Sequence, residues 1–134
     1  MKRKTGVLPM ILAGVALSAP VIASHQPAKF YNRSCMQVAW SLHDLISSNY
    51  GSHCVGDLDV AAVFVESAQI HLNHHKIEQA LKSIDDAVKE LREISHTRSY
   101  CAPLAPDVKR ILAELIRARS EIETEAKLKQ DNMS

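Results

Sequence analysis

The chain has 134 residues, enough for one domain, and 46% of them are apolar, so it can bury a core. Its charges nearly cancel, with 16 Lys and Arg against 15 Asp and Glu, and aromatic residues make up only 4%. This balance excludes the basic footprint expected of a nucleic-acid-binding protein and leaves few aromatic side chains for stacking on bases or sugars.

The first 23 residues have the pattern of a secretory signal peptide. Three basic residues at positions 2–4 precede an uncharged apolar stretch, 7–19, and Val21 and Ala23 stand at acceptable positions before a cleavage site. We therefore expect residues 1–23 to be removed and the protein to be periplasmic or secreted. An uncleaved anchor is the alternative, but the apolar stretch is short for a membrane span. No span is expected after cleavage.

A first, short helix is predicted from Ser34 to about Asn49. Ser34 and Gln37 match a capping box, and apolar residues then recur at spacings of three and four. Residues 24–33 form an N-terminal arm in this interpretation.

Three aromatic residues near this helix are candidate interface residues. Phe30 and Tyr31, in the arm, are expected either to fold back onto the bundle or to anchor a partner. Trp40 lies one position off the apolar stripe and is predicted to be half-buried at the bundle edge. Because tryptophan is enriched at binding hot spots, Trp40 is the main candidate for an interface anchor.

The segment from Asp57 to Cys101 contains neither glycine nor proline. Asp57 is predicted to cap a second helix, in which Val60, Val63 and Phe64 widen the buried stripe and give the helix a central position. A clear amphipathic pattern then starts at Ile77, which predicts a third helix.

These two helices could also be one. A seven-residue apolar spacing from Val63 to Leu91 permits a single helix of about 40 residues. The polar cluster Asn73-His74-His75 and a shift of the apolar stripe favour a turn. With that turn, Ala68, Ala80 and Ala87 resemble the small-residue positions of one tetratricopeptide-type helix pair, a local packing likeness over about 30 residues with no second copy.

The last helix is predicted to start near Pro106, since proline suits the first helical position. Its polar end, residues 127–134, is expected to fray. The bundle domain is therefore predicted over residues 34–130, and residues 131–134 are predicted to be a disordered tail.

The predicted fold class is all-α: an up-down antiparallel bundle of three long helices and one short N-terminal helix. Its three cysteines, Cys35, Cys54 and Cys101, allow one disulfide and one remaining thiol in an oxidising compartment. Alternating helix directions bring Cys54 and Cys101 to one end and leave Cys35 at the other, so we predict a Cys54–Cys101 disulfide. A single long helix would separate the two cysteines.

A metal site is the second functional candidate. His71 and His75 are four residues apart and would share a helix face if the helix extended that far, and Cys35 would lie at the same end of the bundle. These three residues could bind zinc or copper. The alternative is a solvated polar turn that needs no cofactor.

Motifs of catalysis are missing: the sequence contains no nucleophile elbow, no phosphate-binding glycine loop and no His-Glu-x-x-His. We therefore expect an exported, non-catalytic protein-interaction module of unknown partner, with metal binding through the His71-His75 region as the alternative. The unpaired third cysteine and the amphipathic last helix leave room for a homodimer.

Overall fold

The computed structural model describes the backbone of residues 26–133 and the side chains of residues 33–132. The predicted signal peptide, residues 1–23, and positions 24, 25 and 134 lie outside the described residues. The chain divides into two units, Met1–Phe30 and Tyr31–Ser134. Of the first unit only the residues that begin the first helix are described, and the second unit holds the bundle.

Four α-helices and one short 3-10 helix make up the described part of the chain, and no strand occurs there. They are α1 (Gln26–Ser48), α2 (Val55–Asn73), α3 (Ile77–His96), the 3-10 helix (Ser99–Leu104) and α4 (Ala105–Met133). The all-α fold class is confirmed.

Helix α1 begins at Gln26, well before the predicted N-cap Ser34, and has 23 residues. Pro27 is compatible with this start because a residue in the first helical turn needs no hydrogen-bonded N–H. Most of the predicted arm, 24–33, is therefore helical. Ser34 caps nothing: its hydroxyl donates a hydrogen bond to Glu121 Oε1 of α4 at 3.3 Å.

Helices α2 and α3 form an antiparallel hairpin, which confirms the predicted turn and excludes the single long helix. Helix α2 ends at Asn73, and His75 adopts the left-handed conformation with φ of 59°. Ser67 Oγ of α2 and Ser83 Oγ of α3 lie 3.3 Å apart across the hairpin.

Helix α4 runs back along α3 after the 3-10 helix. It begins at Ala105, with Pro106 in its first turn as predicted. Arg119 donates to both carboxylate oxygens of Asp85 on α3, at 2.6 and 3.2 Å. The helix continues to Met133, so residues 131–133, predicted as a disordered tail, are helical.

One apolar core joins the four helices, and none of the buried side chains in the described part is polar or charged. Every helix contributes a stripe at spacings of three and four. Fully buried members include Leu42, Leu58, Val65, Ile84, Leu91, Ile111, Leu115 and Ile122.

The predicted disulfide is present. Cys54 and Cys101 are bonded, both are buried, and their Cα atoms lie 5.1 Å apart. The bond links the start of α2 to the 3-10 helix. A closed loop of this size stabilises the fold by about 4 kcal/mol, because it restricts the conformations of the unfolded chain. Cys35 is a free thiol buried in the core.

The end of the bundle that holds the disulfide also carries a polar network. Asp57 lies in the first turn of α2 rather than at its N-cap, which is Cys54. Its carboxylate accepts a hydrogen bond of 2.6 Å from the Tyr100 hydroxyl and lies 3.3 Å from the Arg98 guanidinium. The hydrogen bond to Asp57 raises the pKa of Tyr100. The predicted cap is therefore wrong, because Asp57 is oriented toward side chains that follow α3.

Candidate functional site

Helix α2 differs from the other helices in the chemistry of its sides. It contains no Lys or Arg, and its acidic residues are Asp57, Asp59 and Glu66. Apart from these residues and a few uncharged polar ones, apolar side chains are distributed around the whole helix axis. A helix of this kind is normally enclosed on all sides.

The side of α2 that points away from the core is nevertheless exposed. Val60, Val63 and Ile70 are 44%, 62% and 57% exposed. Their spacings of three and seven place them on one side of the helix, with the half-buried Ser67 between Val63 and Ile70. We call this set, Val60, Val63, Ser67 and Ile70, the α2 face.

The α2 face corrects one sequence prediction. Val60 and Val63 were expected to widen the buried stripe, but they lie on the opposite side of the helix. The buried residues of α2 are Leu58, Ala61, Ala62, Val65, Ala68 and Leu72. The signal for an exposed apolar face was already in the sequence, because a bundle helix with an ordinary solvated side would carry lysine or arginine there.

Helix α1 places Trp40 at the level of one end of the α2 face. His43 Nε2 of α1 lies 2.7 Å from Glu66 Oε1 of α2, which fixes the level at which the two helices meet. Trp40 precedes His43 by about one turn and Ile70 follows Glu66 by about one turn, so in antiparallel helices both lie at the same level. Trp40 is 60% exposed, more than the half-buried position predicted for it.

The other two aromatic candidates are Phe30 and Tyr31. Phe30 and Tyr31 belong to the backbone of α1, so they are not in an irregular arm. Their side chains lie outside the described residues, and their role as partner anchors stays a prediction.

Two of the three carboxylates of α2 have side-chain partners. Glu66 pairs with His43, and Asp57 pairs with Arg98 and Tyr100. Asp59 is exposed in the N-terminal part of the helix, where the helix dipole favours a negative charge. The four residues of the α2 face are themselves uncharged.

The candidate metal ligands are not gathered into a site. Because α2 ends at Asn73 and His75 has a positive φ, His71 and His75 do not share a helix face. Cys35 is fully buried, and burial raises the pKa of its thiol to about 11, which disfavours the thiolate that metals bind. Among the described residues, no three His, Cys, Asp or Glu side chains are grouped as they would be around a metal ion.

A cavity of about 390 Å³ lies at the end of the bundle opposite the disulfide, between the end of α2, the start of α3 and the end of α4. Its apolar lining consists of Leu72, Ile77, Leu81 and Ala126. Two glutamates and two lysines, Glu78, Glu123, Lys127 and Lys129, also line it, so the lining does not select for either sign of ligand charge. The cavity therefore identifies no ligand class.

None of the helices in the described part is both long and apolar enough to cross a bilayer. Comparison of the chain with protein-family models, with curated proteins and with solved structures gives no match. The α2 face is thus the feature with the clearest chemical meaning, and its function has to be inferred from its own geometry.

Proposed function

We propose that this protein is an exported, non-catalytic protein-interaction module that binds its partner through the α2 face and Trp40. The observation that carries the proposal is the exposed apolar side of α2. Burying apolar surface is favourable by about 25 cal/mol of free energy for each Å² removed from water. A contiguous set of aliphatic side chains flanked by an exposed tryptophan is typical of a surface that another protein covers.

A protein partner fits this surface better than a lipid bilayer does. Helices that lie on membranes usually combine an apolar side with lysine and arginine, and α2 has neither basic residue. The surface is also a convex helix side rather than a concave pocket of the kind that holds small molecules. A helix face of this type is recognised by a groove or by another helix.

Export is the second part of the proposal. The signal-peptide pattern of residues 1–23 supports it, and so does the buried Cys54–Cys101 disulfide, because such bonds persist mainly in oxidising compartments. The proposed location is the periplasm or the medium.

Site-specific photo-crosslinking in the producing cells tests the proposed function. A photoreactive residue in place of Val63 should yield covalent adducts, because this position lies at the centre of the proposed contact. The matched control is Ile116 of α4, an exposed aliphatic residue (41%) flanked by Arg117 and Ser120. Adducts at neither position, or equal adducts at both, would contradict an interaction through the α2 face.

A further inference from the structure

We infer that the occupant of the α2 face is a second copy of this chain, bound through a two-fold pairing of antiparallel α2 helices. This inference rests on the proposed function, since it assumes that the α2 face is an interface, and it adds the identity of the partner. Three properties of the face lead to a second copy: its symmetric spacing, the positions of the acidic residues beside it and the position of Trp40.

The spacing of the α2 face reads the same in both directions along the helix. Val60, Val63, Ser67 and Ile70 are separated by three, four and three residues. When two α2 helices pair antiparallel about the midpoint of this run, Val60 of each copy meets Ile70 of the other, and Val63 meets Ser67. A two-fold interface requires such a self-complementary patch, because both copies present the same surface.

The residues near the two-fold axis also permit close approach. Ser67 is small and half-buried, and its hydroxyl is already near Ser83 of its own chain. Helices pack at axis separations of about 8–10 Å depending on the side chains at the contact. A serine opposite a valine suits a short separation and leaves no buried hydroxyl without a partner.

The acidic residues of α2 have defined positions in this pairing. Glu66 lies one residue from the midpoint of the run, and its carboxylate is 2.7 Å from His43 Nε2 of its own chain, so it enters the contact with a partner. In the antiparallel arrangement, Asp59 of one copy lies toward the C-terminal end of the other α2, where His71 and His74 are located. The acidic ends of the two helices are therefore kept apart, and the helix dipoles are opposed.

Trp40 gives the interface the width that one helix cannot supply. Stable protein interfaces bury about 800 Å² on each partner, more than a single stripe of aliphatic residues offers. Because Trp40 lies at the level of Ile70, the antiparallel pairing places it at the level of Val60 of the second copy. Each copy thus adds a large aromatic side chain to the contact, in the position of a hot-spot residue.

The test is the molar mass of the purified, disulfide-bonded protein by sedimentation equilibrium, over a range reaching high micromolar concentrations. We expect a dimer for the unchanged protein and for Ile116→Lys. For the double variant Val63→Lys/Ile70→Lys we expect the dimer dissociation constant to rise by about a hundredfold or more, since each lysine ammonium group would then be buried against Ser67 or Val60 of the other copy without a partner. Thermal unfolding checks that each variant still folds; the replaced side chains are exposed, so little change is expected.

A second measurement keeps the test decisive if the double variant does not fold. In Val63→Cys, a short thiol-to-thiol cross-linker should join two chains, whereas Ile116→Cys should stay monomeric; Cys35 is buried and does not compete. A monomer at all concentrations, or a dimer that survives the lysine pair, would overturn the two-fold pairing. If position 63 still cross-links to a different protein in cells, only the identity of the partner is wrong; if it cross-links to nothing, the proposed function fails too.

Discussion

Helices α2 and α3 form one hairpin and bury similar inner stripes, yet their outer sides have opposite chemistry. The exposed residues of α3 are polar or charged: Glu78, Gln79, Lys82, Asp85, Asp86, Lys89, Arg92 and His96. The outer side of α2 presents Val60, Val63 and Ile70. Helix α3 shows that a charged outer side is compatible with this fold, so the fold itself does not require an apolar outer side on a bundle helix. The contrast is therefore evidence for contact with another molecule.

The comparison of the two outer sides assumes that the buried core and the disulfide hold the hairpin together. Of these interactions, the disulfide is the strongest single one. In the variant Cys54→Ala/Cys101→Ala, we expect the free energy of unfolding to fall by about 4 kcal/mol, because the unfolded chain regains the freedom that the closed loop removes. Denaturant unfolding measures the change. Ala at Cys35, in a chain that keeps the disulfide, is the control for losing a buried sulfur.

A loss of less than about 1 kcal/mol in the double-alanine variant would break the comparison. The apolar contacts of α2 would then have to hold the two helices together without help from the disulfide. In that case the outer side of α2 could itself contribute to the stability of the hairpin, and its apolar character would no longer indicate a partner.

The inner half of this picture could be predicted from apolar periodicity and chain breaks in the sequence, whereas periodicity did not predict the outer half. The turn at His74-His75 and the Cys54–Cys101 pairing follow from local punctuation and from alternating helix directions, which are properties of the chain itself. Val60 and Val63 were misplaced because, in a helix that is apolar on most sides, periodicity does not indicate which side faces the core. Packing against α1 and α3 decides that.

The ends of the helices show a similar limit. Ser34 fits a capping box, but residues 28–33 before it contain neither glycine nor proline, so α1 continues back to Gln26 with Pro27 in its first turn. Asp57 fits an N-cap, but Arg98 and Tyr100, which are distant in the sequence, attract its carboxylate. Local capping signals were overruled by tertiary partners that the sequence alone did not place.

The pH dependence of stability tests how tightly the inner side of α1 is packed around the Cys35 thiol. Burial raises the pKa of the Cys35 thiol from 9.0 to about 11, so the folded state favours the neutral form. The stabilisation is complete below pH 9 and is lost as the pH rises toward 11, because the unfolded chain ionises its thiol first. By pH 10.5 the loss should reach about 2 kcal/mol.

The free energy of unfolding is measured from pH 8 to 10.5 for the unchanged protein and for Cys35→Ala. The difference between the two curves separates the contribution of the thiol from lysine and tyrosine titration. The variant should show the shallower dependence on pH. Parallel curves for the two proteins would mean that the thiol reaches solvent and that the inner surface of α1 is looser than its burial indicates.

The sharpest form of the comparison lies within α2 itself, between two valines two residues apart. Val65 is fully buried, whereas Val63 is 62% exposed. Val65→Ala removes packed methyl groups and should lower the free energy of unfolding by about 1.5–2 kcal/mol. Val63→Ala should change it by less than about 0.5 kcal/mol. Denaturant unfolding of dilute protein, where self-association is minimal, measures both.

The same pair separates stability from binding. Val63→Ala removes apolar area from the α2 face, so it should weaken self-association while leaving the unfolding of the dilute protein unchanged. Val65→Ala should do the reverse, because its side chain never reaches the surface. If Val63→Ala destabilised the dilute chain as much as Val65→Ala, the outer side of α2 would belong to the monomer's own packing, and its difference from the charged side of α3 would need no partner to explain it.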